Sequence, residues 1–165
     1  MTWAARPTDW GQPGHVDNGT EAESILDQID ELTDMGWDSW TPVWTSGGTQ
    51  PAIGNGTLTG RIRSTDGGDL VQASLRMAAG STTTFGTSTW FFSTPVSLSA
   101  SAESDNAAWG WAYDASSTAI YVINARIESS VWRMGTGGGS VVLSTVPFTW
   151  ANGDILCLNF AFEPA

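Results

Sequence analysis

The sequence has no lysine, one cysteine and one histidine. It also has no apolar run near the roughly 20 residues that a membrane span needs. Each shortage excludes something. A lone Cys157 has no partner for a disulfide framework and no companion thiolates for zinc. A lone His15 leaves neither a His-ligated metal site nor a Ser-His-Asp arrangement with an imidazole near the folded part. No cofactor and no metal are expected, and no membrane insertion. Residues 1–9 hold no apolar run and one cation, Arg6, so a secretory signal is not expected and synthesis in a cytoplasm is. With every cation an arginine, six in all against 17 acids, the net charge is −11. Nothing clusters to neutralise phosphates, which argues against nucleic-acid binding.

What is plentiful is small and polar. Eighteen Ser, 20 Thr and 19 Gly stand among 165 residues, together with ten Trp. At 41% hydrophobic residues the chain can bury a core. The acidity is uneven. Residues 1–38 carry nine acids and one arginine, a charge of −8; the rest carries eight acids and five arginines, a charge of −3. That shift marks a boundary near residues 37–42 and divides the chain into an arm at 1–19, a helix at 20–36 and a β-domain at 37–165.

The arm is rich in Pro and Gly and has no period, so it reads as extended. Trp3 and Trp10 are costly to leave in water; they dock either on the chain's own domain or on a partner. The helix has clear end signals. Thr20-Glu21-Ala22-Glu23 fits a capping box, first-turn acids suit the helix dipole, and Gly36 suits the position just past the end. Ala22, Ile25, Ile29 and Leu32 form one narrow apolar stripe on an acidic cylinder. A stripe this narrow fits either a coiled-coil seam, with Ile at both inner positions leaning towards a trimer, or packing on the chain's own domain.

The remainder reads as all-β: short runs of Val, Ile, Thr, Trp and Phe punctuated by Gly, Asn, Asp and Ser. Strands are predicted at 42–46, 57–63, 69–78, 88–93, 95–100, 107–114, 118–127, 129–134, 140–145 and 154–162. Hairpin turns are predicted at 66–69 and 114–118, and a flexible glycine loop at 135–139. Leu70, Gln72, Ser74 and Arg76 share one face, and Val71, Ala73, Leu75 and Met77 the other. The last strand is apolar on both faces, which places it mid-sheet or under an interface. The expected fold is mostly β: an antiparallel β-sandwich or jelly roll preceded by the arm and one short helix.

No catalytic constellation is visible, and no enzyme is expected. Cys157 alternates with core residues and reads as a small buried apolar group. The acids after residue 38 scatter over turns. The glycine run at 135–139 lacks the lysine and helix of a phosphate loop. The tryptophans have two readings: core and subunit packing, or a stacking surface for sugars. Trp109 and Trp111, at i and i+2, lie on one face of a strand and are the pair singled out for sugar stacking.

Several stretches carry a resemblance. They are Trp40-Thr41-Pro42-Val43-Trp44-Thr45; residues 51–61, Pro-Ala-Ile-Gly-Asn-Gly-Thr-Leu-Thr-Gly-Arg; residues 80–87, Gly-Ser-Thr-Thr-Thr-Phe-Gly-Thr; residues 90–95, Trp-Phe-Phe-Ser-Thr-Pro; and residues 147–154, Pro-Phe-Thr-Trp-Ala-Asn-Gly-Asp. With the opening Met1-Thr2-Trp3 and Arg6-Pro7-Thr8-Asp9-Trp10, they resemble a small β-domain of virion accessory proteins in tailed phages of actinobacteria. The resemblance covers most of the chain and implies a virion structural protein at the particle surface, either a capsid decoration or head fibre or a minor tail or fibre protein. It implies no enzyme. Trp3, Arg6, Pro7 and Trp10 become the expected virion-attachment residues, and Ala22, Ile25, Ile29 and Leu32 the expected trimer seam. The expected partners are copies of itself, a major capsid or tail protein and, in the tail reading, a host-surface glycan at Trp109 and Trp111.

Overall fold

The computed structural model describes residues 36–64, 71–95, 107–128 and 131–162. The chain divides into two units, Met1–Asp34 and Met35–Ala165, and the described residues belong to the second. The expected arm and helix, with Trp3, Arg6, Pro7, Trp10, Ala22, Ile25, Ile29 and Leu32, lie outside the described residues, as do the expected turn at 66–69 and most of the expected strand at 95–100.

Among the described residues are nine strands: β1 (Asp38–Trp40), β2 (Trp44–Ser46), β3 (Thr57–Ser64), β4 (Val71–Ala78), β5 (Trp90–Ser93), β6 (Ala107–Asp114), β7 (Ala119–Glu128), β8 (Val131–Thr136) and β9 (Ile155–Phe162). The described residues contain no helix. All nine strands join one antiparallel sheet in the order β1-β3-β4-β9-β6-β7-β8-β5-β2. Mostly antiparallel β is therefore correct. The architecture is one continuous sheet that curls on itself rather than two hydrogen-bonded sheets face to face. The reason lies in β9, which pairs from Ile155 to Phe162 with β4 and from Ile155 to Phe160 with β6. Those ladders bridge the place where a second sheet would separate.

Period-two alternation sets the faces. In β4, Val71, Ala73, Leu75 and Met77 are buried, as their alternation predicts. Leu156, Leu158 and Phe160 of β9, Ala108 and Ala112 of β6, and Ile123, Ala125 and Ile127 of β7 continue the same inner face. Trp132 and Met134 of β8, Phe92 of β5 and Trp44 of β2 carry it to the far edge, and all join one core cluster. Its aromatic end is dense: Trp90 lies 4.8 Å from Trp44 and 5.0 Å from Trp150, ring centre to ring centre, and Trp150 lies 4.6 Å from Phe148. Truncating such a buried ring costs about 3–5 kcal/mol.

The loops are tied by small polar side chains, which explains the Ser/Thr/Gly richness. Asn55 and Thr82 bond reciprocally across two loops, backbone to side chain in both directions. Between those loops Gly56 and Gly80 allow a close approach; a Cβ on Gly56 would stand 2.5 Å from the Ala78 carbonyl oxygen. The buried Asp154 carboxylate accepts from the Ala115 and Ala151 amides at 2.9 and 2.6 Å. Asp114 and Ala119 pair to close the β6–β7 hairpin where 114–118 was expected to turn.

Three expectations are corrected. Residues 140–145 form no strand. Ser140 instead accepts from the Thr136 amide and Leu143 pairs back to Val146, so the chain reverses twice between Thr136 and Val146. The glycine run begins inside β8, and Gly139 closes a hydrogen-bonded turn with Thr136 rather than a flexible loop. The short edge strand β1, with its polar Asp38-Ser39, carried no strand signal and pairs with β3.

Candidate functional site

The outer face of the sheet is built by the register that builds the core. One row across the strands runs Thr59, Arg76, Cys157, Trp111, Val122. The next runs Arg61, Ser74, Asn159, Trp109, Asn124, Gly135. Beyond it, Arg63 stands opposite Gln72, and Arg126 opposite Arg133, which in turn faces Phe91. Neighbouring strands are about 4.8 Å apart, so each row is a ladder of side chains pointing the same way.

Two features dominate this face. The first is exposed apolar surface: Trp109 is 59% exposed, Trp111 38%, Ile120 70% and Val122 68%. Val122 sits directly opposite Trp111, and Ile120 opposite Tyr113, so these residues form one contiguous patch on β6 and β7. The second is charge. Arg61, Arg63, Arg76, Arg126 and Arg133 are all the arginines after residue 6, and all five occupy outer-face positions. Among the described residues, Glu128 is the one acid sharing that face.

The arginines are held in place. The Arg61 and Arg63 guanidinium carbons stand 5.3 and 4.8 Å from the centre of the Trp37 ring, a double cation–π contact at the sheet edge. Arg63 also donates from Nε to Gln72 Oε1 at 2.8 Å. On the other flank Glu128 accepts from Arg126 at 2.9 Å and from Arg133 at 3.2 Å. One carboxylate shared by two guanidiniums leaves net positive charge there. Beside these arginines lies an open cleft of about 450 Å³ bordered by Asn124, Arg126, Arg133, Gly135 and Thr136. The Asn124 amide tip lies close over Gly135, 2.7 Å from where a Cβ would stand.

Cys157 is corrected. It is half-buried on the outer face between Arg76 and Trp111 rather than in the core. Desolvation pushes its thiol above the usual value, while nearby Arg76 pulls the other way. Asp114 belongs to the β6–β7 turn: hydrogen bonds from the Ser116 and Ser117 hydroxyls hold its carboxyl below the usual value. Asp154 is likewise occupied by turn amides.

The tryptophans divide between the two readings. Trp44, Trp90, Trp132 and Trp150 fill the core, whereas Trp109 and Trp111 stand on the outer face, with Trp37 exposed at its edge. The i, i+2 signal thus placed the pair on a shared face, and exposure identifies that face as the outer one. Sequence reasoning missed the arginines. They alternate locally with core residues, but only the strand order brings three from β3 and β4 and two from β7 and β8 onto one surface.

The fold and this surface define an antiparallel β-sheet domain with a convergent aromatic and arginine face. No protein-family model matches the chain, and neither the curated proteins nor the solved structures contain a match. Among the described residues no helix is long and apolar enough to cross a membrane.

Proposed function

We propose that this protein is a structural accessory of a phage virion, a homotrimer displayed on the particle surface as a capsid decoration or head fibre. In this reading the acidic segment attaches it. The arm at 1–19 docks through Trp3, Arg6, Pro7 and Trp10, the helix at 20–36 trimerises as a short coiled coil, and the β-domain, curled into a sandwich-like body, faces outwards. The observation that carries the reading is the separation of charge. Residues 1–38 hold a charge of −8, whereas the sheet collects five arginines on one face. A chain so divided suits two different contacts, one at each part, and the Ser/Thr/Gly-tied loops suit a scaffold better than a reaction centre. The resemblance of the opening residues and of the stretches at 51–61 and 80–87 supports the virion assignment.

A second reading, a minor tail or tail-fibre protein that binds a host glycan, is favoured by the exposure of Trp109 and Trp111. Labelling intact particles with an antibody against the chain and viewing them by electron microscopy separates the two. Even label over the capsid supports decoration, label at the tail tip supports the second reading, and unlabelled particles overturn both. Trimerisation has its own readout. The acids at 21, 23, 27, 30, 31 and 34 would crowd around a three-fold axis, so the trimer should loosen at low salt. Sedimentation mass against ionic strength checks this, and a monomer at every salt concentration would rule the trimer out.

A further inference from the structure

We propose that the outer sheet face binds a linear, carboxylate-bearing polysaccharide. Its pyranose rings stack on Trp109 and Trp111, and its carboxylates are taken by the flanking arginines. This deepens the glycan-binding reading of Trp109 and Trp111 and rests on it.

The stacking part follows from the rows. Trp109 and Trp111 are successive outward residues of β6, about 7 Å apart along the strand. Each is framed across the strands: Trp109 by Asn159 and Asn124, Trp111 by Cys157 and Val122. Two large, exposed rings beside amide side chains offer apolar faces for sugar C–H surfaces and hydrogen bonds for hydroxyls at their edges.

The charge part follows from the arginines. A chain with a net charge of −11 is expected to repel anions. This face does the opposite, with five arginines against Glu128 among its described residues. Arg76 lies two strands from Trp111, about 10 Å away, and Arg126 and Arg133 border the cleft next to Asn124, the cross-strand partner of Trp109. Cationic groups thus stand on both sides of the ring pair, within reach of a chain laid across it. Guanidinium favours bidentate pairing with carboxylate, so a ligand carrying one at intervals matches this spacing.

The two parts together select among anionic polymers. A polyol phosphate would satisfy the arginines but has no pyranose face for the rings. An acidic polypeptide would satisfy the charge, but tight protein interfaces centre on pockets that swallow an anchor side chain. Here the rings lie on the exposed outer face, and the neighbouring cleft is open and of mixed lining, Asn124, Arg126, Arg133 and Thr136 beside Met134 and Val141, rather than a pocket closed around an anchor. A polysaccharide of uronic acids supplies both ring faces and carboxylates.

The test is calorimetric titration of the full-length chain at two ionic strengths. The probes are oligogalacturonate, a hyaluronan fragment, carboxyl-reduced oligogalacturonate, polyglycerol phosphate and polyglutamate. The expected result is binding of a uronate probe that weakens about tenfold on adding salt, because surface charge is screened. Trp109→Ala and the pair Arg126→Gln with Arg133→Gln should each lose about tenfold, and Glu128→Gln should tighten binding several-fold by freeing both guanidiniums. Circular dichroism should be unchanged, since these side chains lie outside the core. Equal binding of the carboxyl-reduced probe overturns the charge requirement and leaves the glycan reading standing. Tighter binding of polyglutamate or polyglycerol phosphate overturns the proposal, as does an unaffected Trp109→Ala. No binding by any sugar removes the glycan reading as well.

Discussion

Asn55 and Thr82, 27 residues apart, clasp each other in both directions. The Asn55 amide donates to Thr82 Oγ1 at 2.8 Å, and the Thr82 amide donates to Asn55 Oδ1 at 2.9 Å. The Asn55 side chain also donates to Ser81 Oγ at 3.0 Å. Each side chain thus stands in for a backbone partner, and two glycine-rich loops are fixed beyond the single backbone bridge they share at Ala52 and Thr84.

Asn55→Ala should therefore destabilise the fold by about 1–2 kcal/mol, the net worth of one or two such bonds with an amide left unmet. Urea unfolding checks this. Asn55→Asp, which keeps the acceptor, should recover most of the loss, whereas an equal loss in both variants would mean the clasp is incidental.

Asp114 gives a pH dependence of known sign. Its carboxyl titrates below the usual value when folded because Ser116 and Ser117 bond the charged form. A group depressed in the folded state stabilises above its unfolded pKa, and that contribution is lost as pH falls through the folded value. Wild type should thus exceed Asp114→Asn in thermal stability at neutral pH, with a gap that narrows below the ordinary 3.8. A gap that widens in acid would contradict the assignment.

Gly110 lies in the middle of β6, where a Cβ would stand 1.9 Å from the Cys157 carbonyl oxygen. Backbone on the central strand cannot yield as a side-chain tip would. Gly110→Ala should cost about 3 kcal/mol or more, at or above the upper end of overpacking penalties. Gly137→Ala, with open space around its position, should be close to neutral in the same denaturation series.

Cys157 should alkylate slowly. Burial raises its thiol, which lowers the thiolate fraction at neutral pH, and Trp111 and Arg76 flank it across the strands. Iodoacetamide should label the native chain several-fold more slowly than the urea-unfolded chain. Equal rates would mean that the thiol stands free.

Much of this arrangement was legible from alternation alone. Val71 to Met77 and Leu156 to Phe160 announce which residues share a face, and the apolar character of both faces of β9 leaves it mid-sheet or under an interface, of which the strand order shows mid-sheet. Alternation gives two faces but does not say which is inner; the core expectation for Cys157 fails because its chain neighbours Leu156 and Leu158 are the buried set. The strand order was beyond local pattern. Arg76 and Arg133 are 57 residues apart and share a surface only because β9, β6 and β7 lie between their strands. The segment at 140–145 misled because Val141, Val142 and Leu143 have strand propensity, yet the pairing stops at isolated bridges: Val142 packs into the core and bonds Met134 and Trp90 through its backbone, and the chain turns back at Leu143–Val146 before a ladder can extend.

The position of β9 also fixes a timetable. It is the last described strand in the chain and, among the described strands, the one that joins a β1-β3-β4 half-sheet to a β6-β7-β8-β5-β2 half-sheet. During synthesis both halves exist before the strand that joins them. Each waits with one long unpaired edge of the kind that recruits foreign strands. Closure demands contacts between residues far apart in sequence, which slows folding. The nascent chain is therefore most prone to aggregate just before residues 155–162 leave the ribosome, and agents that shield strand edges should raise its yield during that interval more than at any earlier one.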